Sequence, residues 1–306
     1  MILSAPLQGY TTAAWRHYHT EIYGGADGYF SPFMRVEKGE VRRHDLKDIA
    51  SVLNENHRLV PQIIFRDIAE FNLLVDAASG QGYKAINLNL GCPFPPQVKR
   101  GRGSAVIRNL DLLSEVRDEI AARPDISFSV KMRLGVDDPQ EWQPALELLN
   151  ATALEHITVH PRTASQQYAG ELHLDQFGEF VARAAHKVIF NGDISTPEEI
   201  SDMFSRFPAI HGVMIGRGLL ARPSMIEEYR TGEIWSRERQ MAAVLALHGK
   251  MWEHYSGLAC GDAQLLMQIK PFWDYLEPLI GHKTFKLIKK ATTVPKYAAV
   301  MASIHA

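Results

Sequence analysis

Cys92 stands in Asn87-Leu88-Asn89-Leu90-Gly91-Cys92-Pro93, where a glycine and a proline shape a turn around a thiol just after an alternating apolar run. A thiol with an ordinary pKa of about 8.5 is mostly protonated at neutral pH, so it can serve as a general acid. A lone cysteine is more often a small buried hydrophobe, but burial alone does not need such a turn. Other polar residues share this placement: Gln62, Asn89, Lys131, Arg133, His160, Arg162, Asn191, Asp193 and Arg217 each fall at or just past the end of a β-branched or aromatic run. Reactive groups gather there when strands are parallel and their C-terminal ends open onto a common rim.

Lys131 and Arg133 are two residues apart, so on a strand they share a face, and an inward face tolerates them only near an open end. A cation in a barrel mouth suits the electron-rich edge that a flavin ring develops on reduction; a rim salt bridge is the plainer use. His160 alone reads as a satisfied structural histidine, and only its neighbours make it a candidate. Asn191-Gly192-Asp193 and Gly216-Arg217-Gly218 end successive runs. There glycines let backbone N–H groups approach a phosphate and Arg217 adds a cation, although turning the chain would also explain them.

The elements that must hold these groups alternate. Short strand-like runs near 2–5, 28–33, 59–65, 84–89, 126–132, 156–160, 187–190 and 212–215 are separated by helical patterns near 12–23, 44–54, 67–81, 109–122, 140–152, 175–185, 196–205 and 222–230. Eight strands, each followed by a helix, predict a (β/α)8 TIM barrel. Thr196-Pro197-Glu198-Glu199 reads as a helix start. After Gly232 only helical patterns remain, near 241–255, 263–276 and 282–291, so the expected division is a barrel over 1–235 and a small helical domain over 236–306.

The 306 residues and 46% hydrophobic content suit one large domain with an appendage. Two cysteines far apart argue against a disulfide framework or a zinc site, and no metal is expected. The first residues lack a basic n-region and no apolar run approaches a membrane span, which leads to a cytoplasmic expectation. The net charge of −2 is unusual for a nucleic-acid binder, yet from residue 241 onward seven Lys face four acids, and beyond 280 five Lys face none. Lys283, Lys286, Lys289 and Lys290 put several ammonium groups on one predicted helix, a surface for phosphates unless it is an ordinary solvated face.

Taken together these segments resemble the tRNA-dihydrouridine synthases. Asn89-Leu90-Gly91-Cys92-Pro93 is similar to that family's N-x-G-C-P, with Gly103-Ser104-Ala105 eleven residues after the cysteine. Ala5-Pro6-Leu7-Gln8-Gly9, Val130-Lys131-Met132-Arg133-Leu134-Gly135, His160-Pro161-Arg162-Thr163, Asn191-Gly192-Asp193-Ile194 and Val213-Met214-Ile215-Gly216-Arg217-Gly218 resemble its A-P-M-x-G, V-K-x-R-x-G, H-G-R-T, N-G-D-I and V-M-I-G-R-G elements, in the same order. The resemblance implies an FMN-bearing barrel, a helical domain for tRNA, NADPH as reductant, and reduction of a uridine C5=C6 bond with Cys92 as the acid. It assigns Gln62, Lys131, His160, Asn191, Gly192, Asp193, Gly216 and Arg217 to the flavin, with Pro6 near its ring, and Asn89 and Arg162 to the target nucleotide. Lys283, Lys286 and Lys290 would meet tRNA, and a monomer is expected.

Three departures stand out: Phe94-Pro95-Pro96 replaces the basic pair that follows the family's Cys-Pro, Phe65 stands where glycine is usual, and Asn87 replaces an aspartate. Phe33-Met34-Arg35-Val36 and the stretch 268–276 look most like the bacterial subfamily that modifies uridine 16 of the D-loop. Two rival readings are a flavin barrel acting on free pyrimidines, which leaves the helical end without a purpose, and a catalytically silent tRNA-binding protein.

Overall fold

The computed structural model describes residues 1–305. The strands are Ile2–Ser4, Gly28–Phe30, the pair Leu59–Val60 and Gln62–Ile63, Ala85–Leu90, Ser127–Gly135, Leu154–Thr163, Lys187–Phe190 and Gly212–Ile215. All pair in parallel, and the first strand pairs with the last through Leu3↔Met214 and Ser4↔Ile215. Pro61 divides the third strand because it has no N–H to give the ladder. Leu59–Val60 continues the sheet from the second strand and Gln62–Ile63 carries it to the fourth, so the barrel closes through one unbroken stretch of chain. The predicted (β/α)8 barrel with a helical extension is the observed fold.

Period-two alternation sorts the strand residues into two layers. Ile86, Leu88 and Leu90 belong to the large apolar cluster between strands and helices. Inside the barrel a separate cluster of Leu3, Ala5, Phe30, Val60, Ile189 and Met214 fills one side. The alternate positions of the third to sixth strands are instead polar and buried: Gln62, Asn87, Asn89, Ser129, His156, Thr158 and His160. One half of the interior is therefore apolar and the other polar: Gln62, Asn87, Asn89 and Ser129 hydrogen-bond with one another, while the His156 ring and the Thr158 hydroxyl are buried without a hydrogen-bond partner among the described residues.

Most helices start where expected. Thr196 and Glu199 form a reciprocal capping box with Pro197 in the first turn, and Asp67 accepts from the Glu70 N–H (2.8 Å) to start Ile68–Ser79. Other segments are divided more finely than the pattern suggested. The stretch 44–54 splits into Arg43–Ile49 and a 3-10 turn, Val52–Asn54, because Ser51 starts a new cap. Pro223 separates Arg217–Ala221 from Met225–Thr231, and Pro271 ends Asp262–Ile269 in a 3-10 turn. A hairpin, Val36–Glu37 with Glu40–Val41, was not anticipated; Lys38 (φ 53°) and Gly39 (φ 83°) make its two-residue turn.

Beyond Ser236, which caps Arg237–Ser256, the chain is helical to the end of the described residues, including an unanticipated Val294–His305. Buried Trp273 donates its indole N–H to the Tyr297 hydroxyl (2.7 Å), which also meets His248 Nε2 (2.7 Å), while Trp252 stacks on Tyr297. These helices are packed onto the barrel: Tyr10 donates to Asp274 (3.0 Å), Thr12 meets the Tyr255 hydroxyl (3.0 Å), and Lys250 pairs with Glu21 (2.9 Å). Among the described residues no helix is long and apolar enough to cross a membrane.

Candidate active site

A cavity of about 600 Å³ opens at the C-terminal ends of the strands, within the size range of small-molecule sites. Pro6, Gln62, Asn89, Cys92, Lys131, His160, Asn191, Gly192, Asp193, Gly216 and Arg217 all line it. Eleven residues expected from seven separate segments thus meet at one mouth. Arg162 is not on the wall. It is 3% exposed and sits behind, where it clasps Asp193 (3.0 Å for the longer contact), donates to the Gly170 carbonyl (2.7 Å) and reaches His160 Nε2 (3.3 Å). Lys283, Lys286 and Lys290 are exposed on the helix His282–Lys290, outside the cavity.

The thiol of Cys92 is half-buried on the loop after the fourth strand. Asn89 Oδ1 accepts the N–H groups of Gly91 (3.1 Å) and Cys92 (2.8 Å), which folds that loop back over the strand end. Gly103 packs against it from outside: its φ is +62°, and a Cβ there would lie 2.8 Å from Cys92 Cβ and from the Cys92 carbonyl oxygen. Ser104 closes the contact by donating to that carbonyl (3.1 Å). This explains the Gly-Ser pair eleven residues downstream. Burial pushes the Cys92 thiol up from its ordinary pKa, against the Phe94 N–H, Arg133 and Lys131, so the group is a thiol at neutral pH.

Charge on the walls is one-sided. Arg35, Lys131, Arg133 and Arg217 face a single carboxylate, Asp193. Burial pushes Asp193 up, but the guanidiniums of Arg162 and Arg217 outweigh it and hold the carboxyl below its usual range; Arg217 lies 2.9 Å away. Lys131 has no hydrogen bond or ion pair among the described residues, and burial, with Arg133 beside it, pushes it down to about 7. An unpaired ammonium in an otherwise cationic mouth is a site for an anion. Burial and the surrounding cations hold His160 well below the ordinary range. Its imidazole is neutral, with Nε2 accepting from Arg162.

Two wall residues fall outside the strand-end pattern read from the sequence. Tyr168 lies in the loop after the sixth strand with 49% of its surface exposed, and the guanidiniums of Arg217 and Arg133 stand 4.7 Å and 5.4 Å from its ring centre. Arg35 enters from the segment before the hairpin. Neither belongs to a strand end, so alternation could not point to them. Arg133, by contrast, was marked by its spacing; it donates to the Gly91 carbonyl (3.1 Å) and the Thr163 carbonyl (2.8 Å), tying the Cys92 loop to the sixth strand.

A parallel β/α barrel with a cation-rich mouth and a protonated thiol at its edge defines a class: β/α-barrel proteins whose open rim takes an anionic ligand. Residues 3–277 match the model of the dihydrouridine synthase (Dus) family, and the chain belongs to that family of FMN- and NAD(P)H-dependent oxidoreductases, which reduce the uridine C5=C6 bond in tRNA. A probable tRNA-dihydrouridine synthase of Rickettsia conorii is 28% identical over 268 residues, covering 84% of this chain and 77% of the relative. One from Staphylococcus epidermidis is 25% identical, covering 82% and 77%. The tRNA-dihydrouridine synthase B of Pseudomonas putida is 30% identical over 50% of this chain and 46% of its own. Among solved structures, morphinone reductase has a TM-score of 0.52 at 12% identity over 77% of this chain and 86% of that one, a likeness of fold.

Proposed function

We propose that the protein reduces uridine 16 in the D-loop of tRNA, with Cys92 as proton donor. Lys131, Asn191, Gly192, Gly216 and Arg217, together with Gln62, His160, Asp193 and Pro6 on the same cavity wall, would hold FMN. The cavity fits such a group, because its unpaired Lys131 and surplus of cations need an anion and its Ala5, Pro6 and Met214 supply apolar wall. Bound FMN, reduced by NADPH, supplies a hydride to C6 of the uracil. The charge left on C5 and O4 is quenched when Cys92 Sγ gives its proton to C5. Lys131 and Arg133 favour the thiolate that remains, which regains its proton from solvent. Asn89 has one amide hydrogen left for the uracil edge, and Arg162 adds its charge from behind Asp193 and His160.

The target base must leave the folded D-loop to enter this mouth. Residues 236–306 act as the tRNA-binding domain, with Lys283, Lys286 and Lys290 on phosphates, and the enzyme works as a cytoplasmic monomer. The observation that carries the reading is the neutral thiol fixed at the edge of a cation-lined mouth. The test is reaction of the FMN-loaded protein and NADPH with tRNA lacking dihydrouridine, followed by position mapping. Dihydrouridine at position 16 is the expected result. Product at another position would move the site assignment, and reduction of free uridine or uracil but not tRNA would favour the free-pyrimidine reading.

A further inference from the structure

Asn89 does not hold the Cys92 loop alone. The backbone N–H groups of Gly91 and Cys92 can only donate, so Asn89 must turn Oδ1 toward them and Nδ2 away. That Nδ2 meets Gln62 Oε1 (2.7 Å), which leaves Gln62 Nε2 to donate to Asn87 Oδ1 (2.7 Å), and Asn87 Nδ2 in turn donates to Ser129 Oγ (2.8 Å). Four side chains from three neighbouring strands form one directed chain, and every member is at most 8% exposed. No link can be reversed by itself, because reversal would set two N–H groups or two oxygens against each other. In a buried site an unmade hydrogen bond costs more than the made one contributes. The chain also lies on the polar side of the interior, away from the apolar cluster.

We infer that Asn87 is a positioning residue for the reaction: by accepting from Gln62 it anchors the far end of the chain, which holds Gln62 against Asn89 and, through Asn89, the backbone that presents the Cys92 thiol. The inference rests on Cys92 as the proton donor proposed above. Asn87 touches neither the cavity nor Cys92. Its role is to make the far end of the chain an acceptor for Gln62, which a carboxylate at this position could also do, since the Ser129 hydroxyl can donate as well as accept. A leucine of similar size could not.

The test is Asn87→Leu, Asn87→Asp and Ser129→Ala, each with Cys260→Ser so that Cys92 is the remaining thiol. Two quantities are read: the pH profile of Cys92 alkylation, which needs no flavin, and the rate at which tRNA reoxidises the reduced flavin. Asn87→Leu is expected to slow reoxidation by about tenfold, to leave reduction by NADPH within about twofold, and to speed alkylation at fixed pH as the loop opens to water. Asn87→Asp should restore both readouts to within about threefold of the parent. If Asn87→Leu does not fold, Ser129→Ala carries the test, with the same changes at about threefold. A folded Asn87→Leu, or failing that Ser129→Ala, with the parent alkylation profile and reoxidation rate overturns the inference. A parent protein that leaves tRNA unreduced while its alkylation profile still responds to Asn87 would defeat the proposed function and spare the positioning.

Discussion

Removing the Cys92 thiol should separate proton transfer from every other step. Cys92→Ala is expected to fold, retain FMN, accept electrons from NADPH and bind tRNA, because no side chain other than the acid is lost. Product formation should fall by about 10²- to 10⁴-fold, the usual contribution of positioned proton transfer. Anaerobic stopped-flow reoxidation by tRNA isolates that step, and a wild-type rate would place the proton elsewhere. Lys131 makes a prediction in pH. Held at about 7 without an anion, it loses its charge as the pH rises through that value. A bound flavin phosphate or reduced ring edge restores it, so FMN uptake above pH 7 should draw in a proton, seen calorimetrically as heat that varies with the buffer. Lys131→Met should abolish that uptake and weaken FMN by roughly tenfold or more, the scale of a lost charged hydrogen bond. By the same linkage, this group makes the flavin-free fold gain stability from pH 7 toward about 10, since the unfolded lysine still holds the proton that the folded one has released.

At the scale of elements, the 3-10 turn Gly103–Arg108 is the outer support of the Cys92 loop. Gly103→Ala adds a methyl 2.8 Å from the Cys92 backbone carbonyl oxygen at a φ of +62°, so both sterics and backbone oppose it. The substitution should cost about 1–3 kcal/mol in denaturant unfolding and slow reoxidation by tRNA, with reduction by NADPH little changed. The helix His282–Lys290 divides its lysines by function. Lys289 pairs with Asp274 (2.6 Å), which also accepts from Tyr10, and so ties the helix to the barrel. Lys283, Lys286 and Lys290 follow one stripe, exposed and without an ion pair among the described residues. Changing these three to Gln should weaken tRNA binding and reduce the slope of log K against log salt by up to about three, while FMN binding stays the same. An unchanged slope would return the stripe to an ordinary solvated face.

For the whole molecule, one apolar cluster runs from the strand-to-helix layer of the barrel through Leu247, Trp273 and Ile288, so the helical extension and the barrel should lose structure together. Trp273→Ala, which empties a fully buried site and takes one of two hydrogen-bond partners from the Tyr297 hydroxyl, should cost about 3–5 kcal/mol. Protein fluorescence and FMN release are expected to report a single shared transition; two separated transitions would show that the halves fold independently. The sequence alone determined the eight-fold alternation, the strand ends and the residue types gathered there, because side-chain period and glycine or proline punctuation are local. It also marked Cys92 and Lys131, whose chemistry is unusual at a strand end. Only the tertiary structure decided that Arg162 stands behind the wall, that Tyr168 stands in it, that Gly103 supports the thiol loop, and that Asn87 reaches Cys92 through Gln62 and Asn89. Each of these depends on which strands and loops become neighbours when the barrel closes, and contacts between residues about 10 to 50 positions apart leave no periodic trace in the chain.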